Sequence, residues 1–222
     1  MSTADRMAQM RQNYADAGLS EQDLAPDWLS QFRRWFDEAV AAGITEPNGM
    51  VLATAAADGT VAARSVLAKG VDEAGIVFYT NYTSAKSHDL AENPHAAVTF
   101  PWYDLHRQVH LRGTVTQVDR ATTEQYWATR PRGSQIGAWS SPQSTVLPDR
   151  AALDALQAQV EERFGGLEGT EAIPAPPHWG GWRISPVTVE FWQGRTGRLH
   201  DRLRYRRDDG DPSRWVVERL AP

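Results

Sequence analysis

Residues 50–69 read MVLATAAADGTVAARSVLAK and indicate a β-hairpin. The runs 50–56 and 61–69 are rich in small and β-branched residues. They flank Asp58-Gly59, a dipeptide that favours the tight turns of hairpins. We therefore predict two antiparallel strands that meet near Gly59.

Strand-like segments continue along the chain after this hairpin. They are IVFYT (76–80), AAVTF (96–100), RQVHLRGTVTQVD (107–119), WRISPVTVEFWQG (182–194), RLHDRLRYRR (198–207) and RWVVERL (214–220). Because the first five strands lie so close together in sequence, they are typical of a meander that can close into a barrel.

Four segments have helical periodicity instead. They are SQFRRWFDEAVAAGI (30–44), SAKSHDLAENP (84–94), ATTEQYWATR (121–130) and DRAALDALQAQVEERF (149–164). We expect Ser30 to cap the first helix and Gly43 to end it. Pro131 should end the third near Arg130, since proline disfavours helical backbone at the preceding residue.

The composition, with 41% hydrophobic and 23% charged residues, is that of an ordinary globular protein. We predict one α+β domain over residues 27–222, with mostly antiparallel strands and flanking helices, after a mobile arm over residues 1–26. The net charge of −5 argues against nucleic-acid binding. No apolar run approaches the ~18 residues of a membrane helix, so we expect a cytoplasmic protein without a membrane partner.

Several familiar catalytic motifs are absent from the sequence. It has no cysteine, no GxGxxG after a strand, no GxxxxGK[ST], no HExxH and no GxSxG. His106 and His110 are four residues apart, without a nearby carboxylate that would favour a metal site. The motifs therefore give no support for a hydrolase or a metalloenzyme.

Two cations in the second half of the hairpin suggest anion binding. Arg64 and Lys69 are five residues apart, and an odd spacing puts side chains on opposite faces of a regular strand. We therefore expect two separate anion sites rather than one phosphate held by both. A solvated surface charge is the alternative for either residue taken alone.

A basic segment near the C-terminus has a spacing of two. If RLHDR is a strand, Arg198, His200 and Arg202 point to one face, where they repel each other unless an anion binds there. An exposed basic stripe is the alternative. The neighbouring FWQG (191–194) suggests partial burial and favours a ligand site.

A third set of phosphate donors belongs to the helix over 121–130. Tyr126 and Arg130 are four residues apart and share a helix face, and Ser134 follows shortly after. All three side chains can donate hydrogen bonds to phosphate oxygens. The alternative is a surface arginine beside a tyrosine at the edge of the core.

Together these segments resemble the pyridoxine (pyridoxamine) 5'-phosphate oxidase family. The similar stretches run in order from about residue 50 to the C-terminus, with RQNY (11–14) extending the match towards the N-terminus. They are RSVLAK, VFYTNYTSAKSHDL, FPWYDLHRQVHLRG, YWATRPRGSQIGAWSSPQS, HWGGWRISPVTVEFWQGRTGRLHDR and RLAP.

The resemblance implies a split β-barrel homodimer with FMN bound at the subunit interface. It further implies an oxidase that converts pyridoxine 5'-phosphate or pyridoxamine 5'-phosphate to pyridoxal 5'-phosphate. In that reaction a hydride passes from C4' to flavin N5, and O2 is reduced to H2O2. This is the final step of vitamin B6 cofactor synthesis and salvage.

The resemblance also assigns roles to individual residues. The FMN ligands would be Arg64, Ser65, Val66, Leu67, Tyr79, Thr80, Lys86, Gln108, Gln143, Ser144, Trp192 and Arg202, some of them from the second subunit. The substrate phosphate would be held by Lys69, Tyr126, Arg130 and Ser134. Arg198 and His200 would lie over the substrate ring as catalytic residues, and Arg11 and Tyr14 would form a mobile lid. His200 is the candidate general base by residue type.

Two positions depart from the family pattern. Ala85 stands where many members have an arginine before the lysine of the flavin-phosphate segment, so one phosphate contact is expected to be missing. Glu46 stands where an aspartate is common. The alternatives are another flavin-dependent oxidase or reductase on the same barrel, such as a phenazine-pathway oxidase, or a non-catalytic carrier of flavin or pyridoxal phosphate.

Overall fold

The computed structural model describes residues 3–10, 14 and 18–222. The chain divides into two compact units. Unit 1 comprises the residues up to Val51, together with Val98–Arg112 and Pro186–Pro222. Unit 2 comprises Leu52–Ala97 and Gly113–Ser185.

The described residues form six α-helices and nine β-strands. The helices are α1 (Thr3–Gln9), α2 (Trp28–Ala41), α3 (Ala85–Glu92), α4 (Arg120–Ala128), α5 (Arg132–Ser140) and α6 (Arg150–Phe164). The strands are β1 (Gly49–Ala55), β2 (Val61–Leu67), β3 (Gly70–Asp72), β4 (Gly75–Asn81), β5 (His95–Trp102), β6 (Arg107–Gln117), β7 (Trp179–Gln193), β8 (Asp201–Arg207) and β9 (Trp215–Arg219). None of these helices is long and apolar enough to cross a membrane.

The strands form one sheet in the order β2-β1-β5-β6-β7-β4-β3, with β8 paired to β7 and β9 to β8. The predicted meander is therefore wrong, because β4 lies between β3 and β7 and is not paired with β2 or β5, the neighbours that a meander requires. The long strand β7 pairs antiparallel with β4 through Trp179–Ile184 and with β8 through Thr188–Gln193. The strand path does not close on itself, and the fold is an α+β split barrel, as predicted.

The predicted hairpin is confirmed. Its turn is closed by backbone hydrogen bonds from Ala56 N to the Thr60 carbonyl oxygen (2.9 Å) and from Gly59 N to the Ala56 carbonyl oxygen (3.0 Å). The second strand ends at Leu67, earlier than the pattern indicated.

Helix α2 covers the unit 1 core with an apolar face. Phe32 and Trp35 are buried on it, and their rings meet Phe100 (5.0 Å between centroids) and Phe191 (5.2 Å) edge-on. The cap of α2 is Asp27 rather than the predicted Ser30. The Asp27 carboxylate accepts hydrogen bonds from the backbone N–H of Ser30 (2.8 Å) and from the Ser30 hydroxyl (2.7 Å).

The unit 2 core is built around helices that follow one another closely. One buried cluster of this unit consists of Trp127, Ile136, Ile173, Ala175 and Trp179. Ile136 belongs to α5, a helix that the sequence pattern did not predict because glycines at 133 and 137 interrupt its periodicity. Helix α6 matches its predicted segment and is capped by Asp149.

Candidate functional site

Unit 2 contains a cavity of about 470 Å³, a volume typical of small-molecule sites. It is lined by Arg64, Ser65, Val66, Leu67, Lys69, Tyr79, Thr80, Ala85, Lys86, Tyr126, Arg130, Gln143 and Ser144. All of these except Ala85 carry a predicted role in binding FMN or the substrate phosphate. We call this space the unit 2 cavity.

The lining of the unit 2 cavity is strongly cationic. Four of its thirteen residues are Arg64, Lys69, Lys86 and Arg130, and none is an aspartate or glutamate. Like charges gathered in one cavity repel each other unless an anion compensates them. The lining is therefore suited to a ligand with one or more phosphate groups.

Lys86, in the first turn of α3, is held inside the cavity wall by neutral groups. Its ammonium donates to Thr80 Oγ1 (3.0 Å), Ser84 Oγ (3.1 Å) and Gln143 Oε1 (2.7 Å). Burial, and secondly the charge of Arg64, lower the pKa of Lys86 to about 8. The cation is thus poorly compensated by the protein, and an anion in the cavity would stabilise it.

Arg64 projects from β2 and is fixed through one end of its guanidinium. Nη1 donates to Thr54 Oγ1 (2.7 Å) and to the carbonyl oxygens of Leu52 (3.3 Å) and Ala62 (3.0 Å). The nearest carboxylate is Asp89, 3.9 Å from Nη2, which also accepts from Thr54 Oγ1 (2.5 Å). A long ion pair of this kind leaves donors of Nη2 for a ligand.

The predicted separation of Arg64 and Lys69 onto opposite faces is wrong. Strand β2 ends at Leu67, and Lys69 lies beyond it, with its backbone N–H bonded to the Val77 carbonyl oxygen (2.8 Å). The alternation of side chains therefore does not extend to Lys69, and both cations line one cavity. Whether they bind one anion or two stays a prediction.

Tyr126 and Arg130 are brought together, but Ser134 is not. Helix α4 ends at Ala128, so Arg130 lies just past the helix. Its Nη2 donates to the backbone oxygen of Ser134 (3.0 Å), while its Nε is buried and has no partner among the described residues. The side chain of Ser134 is exposed on α5 and does not line the cavity.

Unit 1 contains a second cavity of about 320 Å³. It is lined by Thr99, Gln108, His110, Glu190, Trp192, Arg202 and Pro222. Gln108, Trp192 and Arg202 are the three predicted flavin ligands that lie in this unit. We call this space the unit 1 cavity.

Arg202 is oriented by a residue that the sequence analysis missed. Its Nε and Nη2 donate to Oε1 (2.7 Å) and Oε2 (3.1 Å) of Glu190, and Nη1 donates to the Ala221 carbonyl oxygen (3.0 Å). The Glu190 carboxylate raises the pKa of Arg202 above its ordinary value. The spacing of two between Glu190 and Trp192 on β7 was the signal that could have placed this carboxylate on the face of the flavin ligands.

Tyr14, Trp192 and His200 cluster in unit 1. The His200 ring lies 4.6 Å from Trp192 and 5.8 Å from Tyr14, centroid to centroid. Burial, and secondly the charge of Arg198, lower the pKa of His200. Arg11, the other predicted lid residue, lies outside the described residues.

The expected strand over RLHDR forms only in part. Strand β8 begins at Asp201, and Arg198 ends a 3-10 helix with a positive φ of 61°. Only Arg202 of the three lies on a strand, so Arg198, His200 and Arg202 do not point to one face of a strand. The backbone N–H of Arg195 donates to His200 Nδ1 (3.0 Å), which fixes this ring instead.

Two further arginines of the basic segment, Arg204 and Arg206, pair with a carboxylate. Arg204 and Arg206 both donate to the carboxylate of Glu218 on β9, at 2.6 and 3.0 Å. These two arginines are thus ion-paired across two neighbouring strands.

Comparison with known proteins identifies the family. A family model described as "Pyridoxamine 5'-phosphate oxidase" matches residues 36–192, and one described as "Pyridoxine 5'-phosphate oxidase C-terminal dimerisation region" matches residues 179–222. The chain belongs to the pyridoxamine 5'-phosphate oxidase family. This confirms the resemblance seen in the sequence.

Curated members of this family are similar over nearly their whole length. The pyridoxine/pyridoxamine 5'-phosphate oxidase of Saccharopolyspora erythraea is 56% identical over 96% of this chain and 94% of its own. That of Burkholderia vietnamiensis is 52% identical over 97% of this chain and 99% of its own.

Solved structures show the same fold. PhzG from Burkholderia lata 383, in complex with tetrahydrophenazine-1-carboxylic acid, has a TM-score of 0.84 and 31% identity, covering 93% of this chain and 98% of its own. A pyridoxamine 5'-phosphate oxidase-related, FMN binding protein from Nostoc punctiforme has a TM-score of 0.67 at 19% identity, covering 90% and 99%, and this likeness concerns the fold alone.

Proposed function

We propose that this chain is an FMN-dependent oxidase that converts pyridoxine 5'-phosphate or pyridoxamine 5'-phosphate to pyridoxal 5'-phosphate and reduces O2 to H2O2. The observation that carries the proposal is the unit 2 cavity, with four cations and no carboxylate in its lining. Curated relatives at 56% and 52% identity that are named for these two substrates support it.

The donor set of the unit 2 cavity suits the phosphate and ribityl chain of FMN. Arg64 and Lys86 supply charge-assisted donors, and the hydroxyls of Ser65, Thr80 and Ser144 lie in the same lining. Ala85 adds no donor beside Lys86, so the side chains of this segment offer one cation. Bound FMN would supply the acceptor for the two electrons released by the oxidation, which no protein side chain here can provide.

The substrate phosphate would be held by Lys69, Tyr126 and Arg130. The buried Nε of Arg130 has no partner among the described residues, and a buried donor of this kind is costly until a ligand accepts from it. Binding energy from a phosphate remote from C4' can orient the reacting carbon. Ser134 would contribute through its backbone oxygen, which anchors Arg130.

His200 would act as a hydrogen-bond donor to the substrate rather than as a base. Its Nδ1 accepts from the Arg195 backbone N–H, so the neutral ring carries its proton on Nε2. Burial lowers its pKa, which favours the neutral ring at physiological pH. Arg198, as its neighbour, would supply positive charge to the substrate ring.

We further propose a cytoplasmic homodimer. A family model described as a dimerisation region matches residues 179–222, which contain strands β7, β8 and β9. The contribution of Gln108, Trp192 and Arg202 to a flavin site follows from the family resemblance and stays a prediction.

The proposed function is tested by adding pyridoxine 5'-phosphate to the purified protein without oxygen. We expect the yellow flavin band to bleach, and H2O2 and the aldehyde product to be present once air is admitted. A yellow protein that bleaches with neither B6 phosphate would contradict the substrate assignment. A colourless protein that does not take up added FMN would contradict the flavin assignment.

A second candidate function comes from the likeness to PhzG. An oxidase of this kind would act on a tricyclic acid such as tetrahydrophenazine-1-carboxylic acid. The same anaerobic titration with that compound distinguishes the two functions. We expect no bleaching with it, because the cations of the unit 2 cavity suit a phosphate ester.

A further inference from the structure

Three aromatic rings are stacked next to Arg130 in unit 2. Trp179, the first residue of β7, is 4% exposed and is not part of the cavity lining. Its ring lies nearly parallel to those of Tyr79 (13°, centroids 5.4 Å apart) and Tyr126 (9°, 6.2 Å). Tyr79 and Tyr126 themselves stack at 4.0 Å. Two residues of the cavity lining thus rest on a buried indole.

The same indole carries the guanidinium of Arg130. The Arg130 Cζ lies 4.7 Å from the centroid of the Trp179 ring and 5.7 Å from that of Trp127. Within residues 3–10, 14 and 18–222, no carboxylate forms an ion pair with Arg130. Among the described residues, the guanidinium donates one hydrogen bond, from Nη2 to the Ser134 backbone oxygen, and its Nε has no partner.

We propose that Trp179 is a positioning residue that holds Arg130 for binding of the substrate phosphate, an inference that rests on the proposed function. A carboxylate partner would occupy the N–H donors of Arg130 and compete with the phosphate. The face of an indole stabilises the cation without using those donors. Trp179 therefore keeps the guanidinium of Arg130 ordered without occupying its N–H donors, which stay available to an anion.

Stacking against Tyr126 extends the effect to a second phosphate donor. Because the rings of Tyr126 and Trp179 are nearly parallel, the indole limits the tilt of the phenol. Loss of the indole should weaken phosphate binding through Arg130 and Tyr126 together, and leave the reacting end of the substrate unaffected.

The test compares steady-state kinetics of the FMN-loaded Trp179→Leu, Trp179→Phe and Trp139→Leu variants. Trp139 is a matched control, since Arg163 lies over its ring at the same 4.7 Å and neither residue lines the cavity. We expect Trp179→Leu to raise the KM for pyridoxine 5'-phosphate about three- to thirtyfold, with kcat within about twofold. Trp179→Phe, whose smaller ring attracts the cation less, should raise KM by a smaller factor of about two to four, and Trp139→Leu should change neither constant.

A double-mutant cycle separates positioning from packing, and it decides the matter if Trp179→Leu does not fold. In an Arg130→Met background, Trp179→Phe should raise KM by a smaller factor than it does in the wild type, because only the contribution through Tyr126 remains. An unchanged KM in folded Trp179→Leu, an equal rise in Trp139→Leu, or additive effects of Trp179→Phe and Arg130→Met would overturn the inference.

Failure of the proposed function is recognised separately. If the wild-type holoenzyme oxidises neither B6 phosphate, the substrate assignment fails. The role of Trp179 is then decided by calorimetric titration of inorganic phosphate into the same variants. Weaker phosphate binding in Trp179→Leu than in Trp139→Leu supports the inference, and equal binding overturns it.

Discussion

At the scale of single residues, the cations of the unit 2 cavity differ in how the protein compensates them. Arg64 has a distant carboxylate, Lys86 has three neutral acceptors, and Arg130 has aromatic faces. The less a charge is compensated by the protein, the more an incoming anion stabilises it. Substitution of Lys86 or Arg130 should therefore have the clearest effect on the binding of an anionic ligand.

Lys86 should make FMN binding depend on pH. Its lowered pKa of about 8 means that the apoprotein carries this charge below pH 8 and loses it above. Since the phosphate binds the charged form, the dissociation constant of FMN should rise above pH 8, by up to about tenfold per pH unit. Fluorescence titration of the apoprotein with FMN from pH 7 to 9.5 measures this.

Two variants control the pH experiment. Lys86→Met should bind FMN about ten- to a hundredfold more weakly, with no rise above pH 8. Arg64→Met should also bind weakly but should keep the rise and move its onset to higher pH, because the charge of Arg64 contributes to lowering the pKa of Lys86. A pH dependence that persists in Lys86→Met would refute the assignment.

Lys69 and Arg130 should contribute mainly to the use of dilute substrate. A charge-assisted hydrogen bond contributes roughly 1.5–3 kcal/mol, so Lys69→Ala or Arg130→Ala should lower kcat/KM about ten- to a hundredfold. Arg163→Ala is the control, since this exposed arginine of unit 2 lies outside the cavity lining. Near-normal turnover of dilute pyridoxine 5'-phosphate by Lys69→Ala would show that Lys69 does not bind the substrate phosphate.

At the scale of elements, the turn between β3 and β4 contains a glycine that lies against the backbone of β7. Gly75 has a φ of 136°, and a Cβ placed there would lie 1.9 Å from the carbonyl oxygen of Ile184 on β7. The turn of the β1–β2 hairpin also contains a glycine with positive φ, Gly59 at 86°, but nothing lies within 4 Å of its Cβ position. An alanine at Gly59 would therefore meet backbone strain alone, whereas an alanine at Gly75 would also meet a steric clash.

We expect Gly75→Ala to destabilise the fold far more than Gly59→Ala. At Gly59 the cost is backbone strain alone, about 1–2 kcal/mol. At Gly75 the added methyl also collides with the backbone of β7, so strands β4 and β7 must separate locally. The free energy of unfolding should therefore fall by more than ~2 kcal/mol. Urea unfolding followed by circular dichroism measures both. Equal losses would show that the contact with Ile184 relaxes freely.

At the scale of the whole molecule, ligand binding and stability should be coupled. A ligand that binds only the folded chain stabilises it by RT ln(1 + [L]/Kd), about 2.7 kcal/mol at one hundred times Kd. Most of the predicted FMN contacts lie in unit 2, and three lie in unit 1. FMN should therefore protect both units against unfolding.

Removal of FMN should lower the midpoint of thermal unfolding, and added FMN should raise it in proportion to the logarithm of its concentration. Riboflavin, which lacks the phosphate, is the control and should protect much less, because Arg64 and Lys86 then have no anion to bind. Equal protection by riboflavin and FMN would contradict a phosphate site at Lys86.

The proposed homodimer is tested by sedimentation, which should give twice the chain mass of 24.7 kDa.

The sequence alone was sufficient for the hairpin at Asp58-Gly59, for helices α2, α3, α4 and α6, and for the family. These features depend on local periodicity, turn chemistry and ordered motifs, which residues near in sequence determine by themselves. The sequence also predicted which residue types bind anions, because arginines and lysines occur on strand-like segments.

Which of these anion-binding groups contact each other or share a cavity depends on the tertiary structure. The early end of β2 places Lys69 in the same cavity lining as Arg64. The pairing of β4 with β7 and the ion pair of Glu190 with Arg202 join residues of different elements. So does the contact of Trp179 with Arg130. Such contacts are selected by burial and packing over the whole chain, which no local pattern specifies, and they determine how each cation is compensated and oriented.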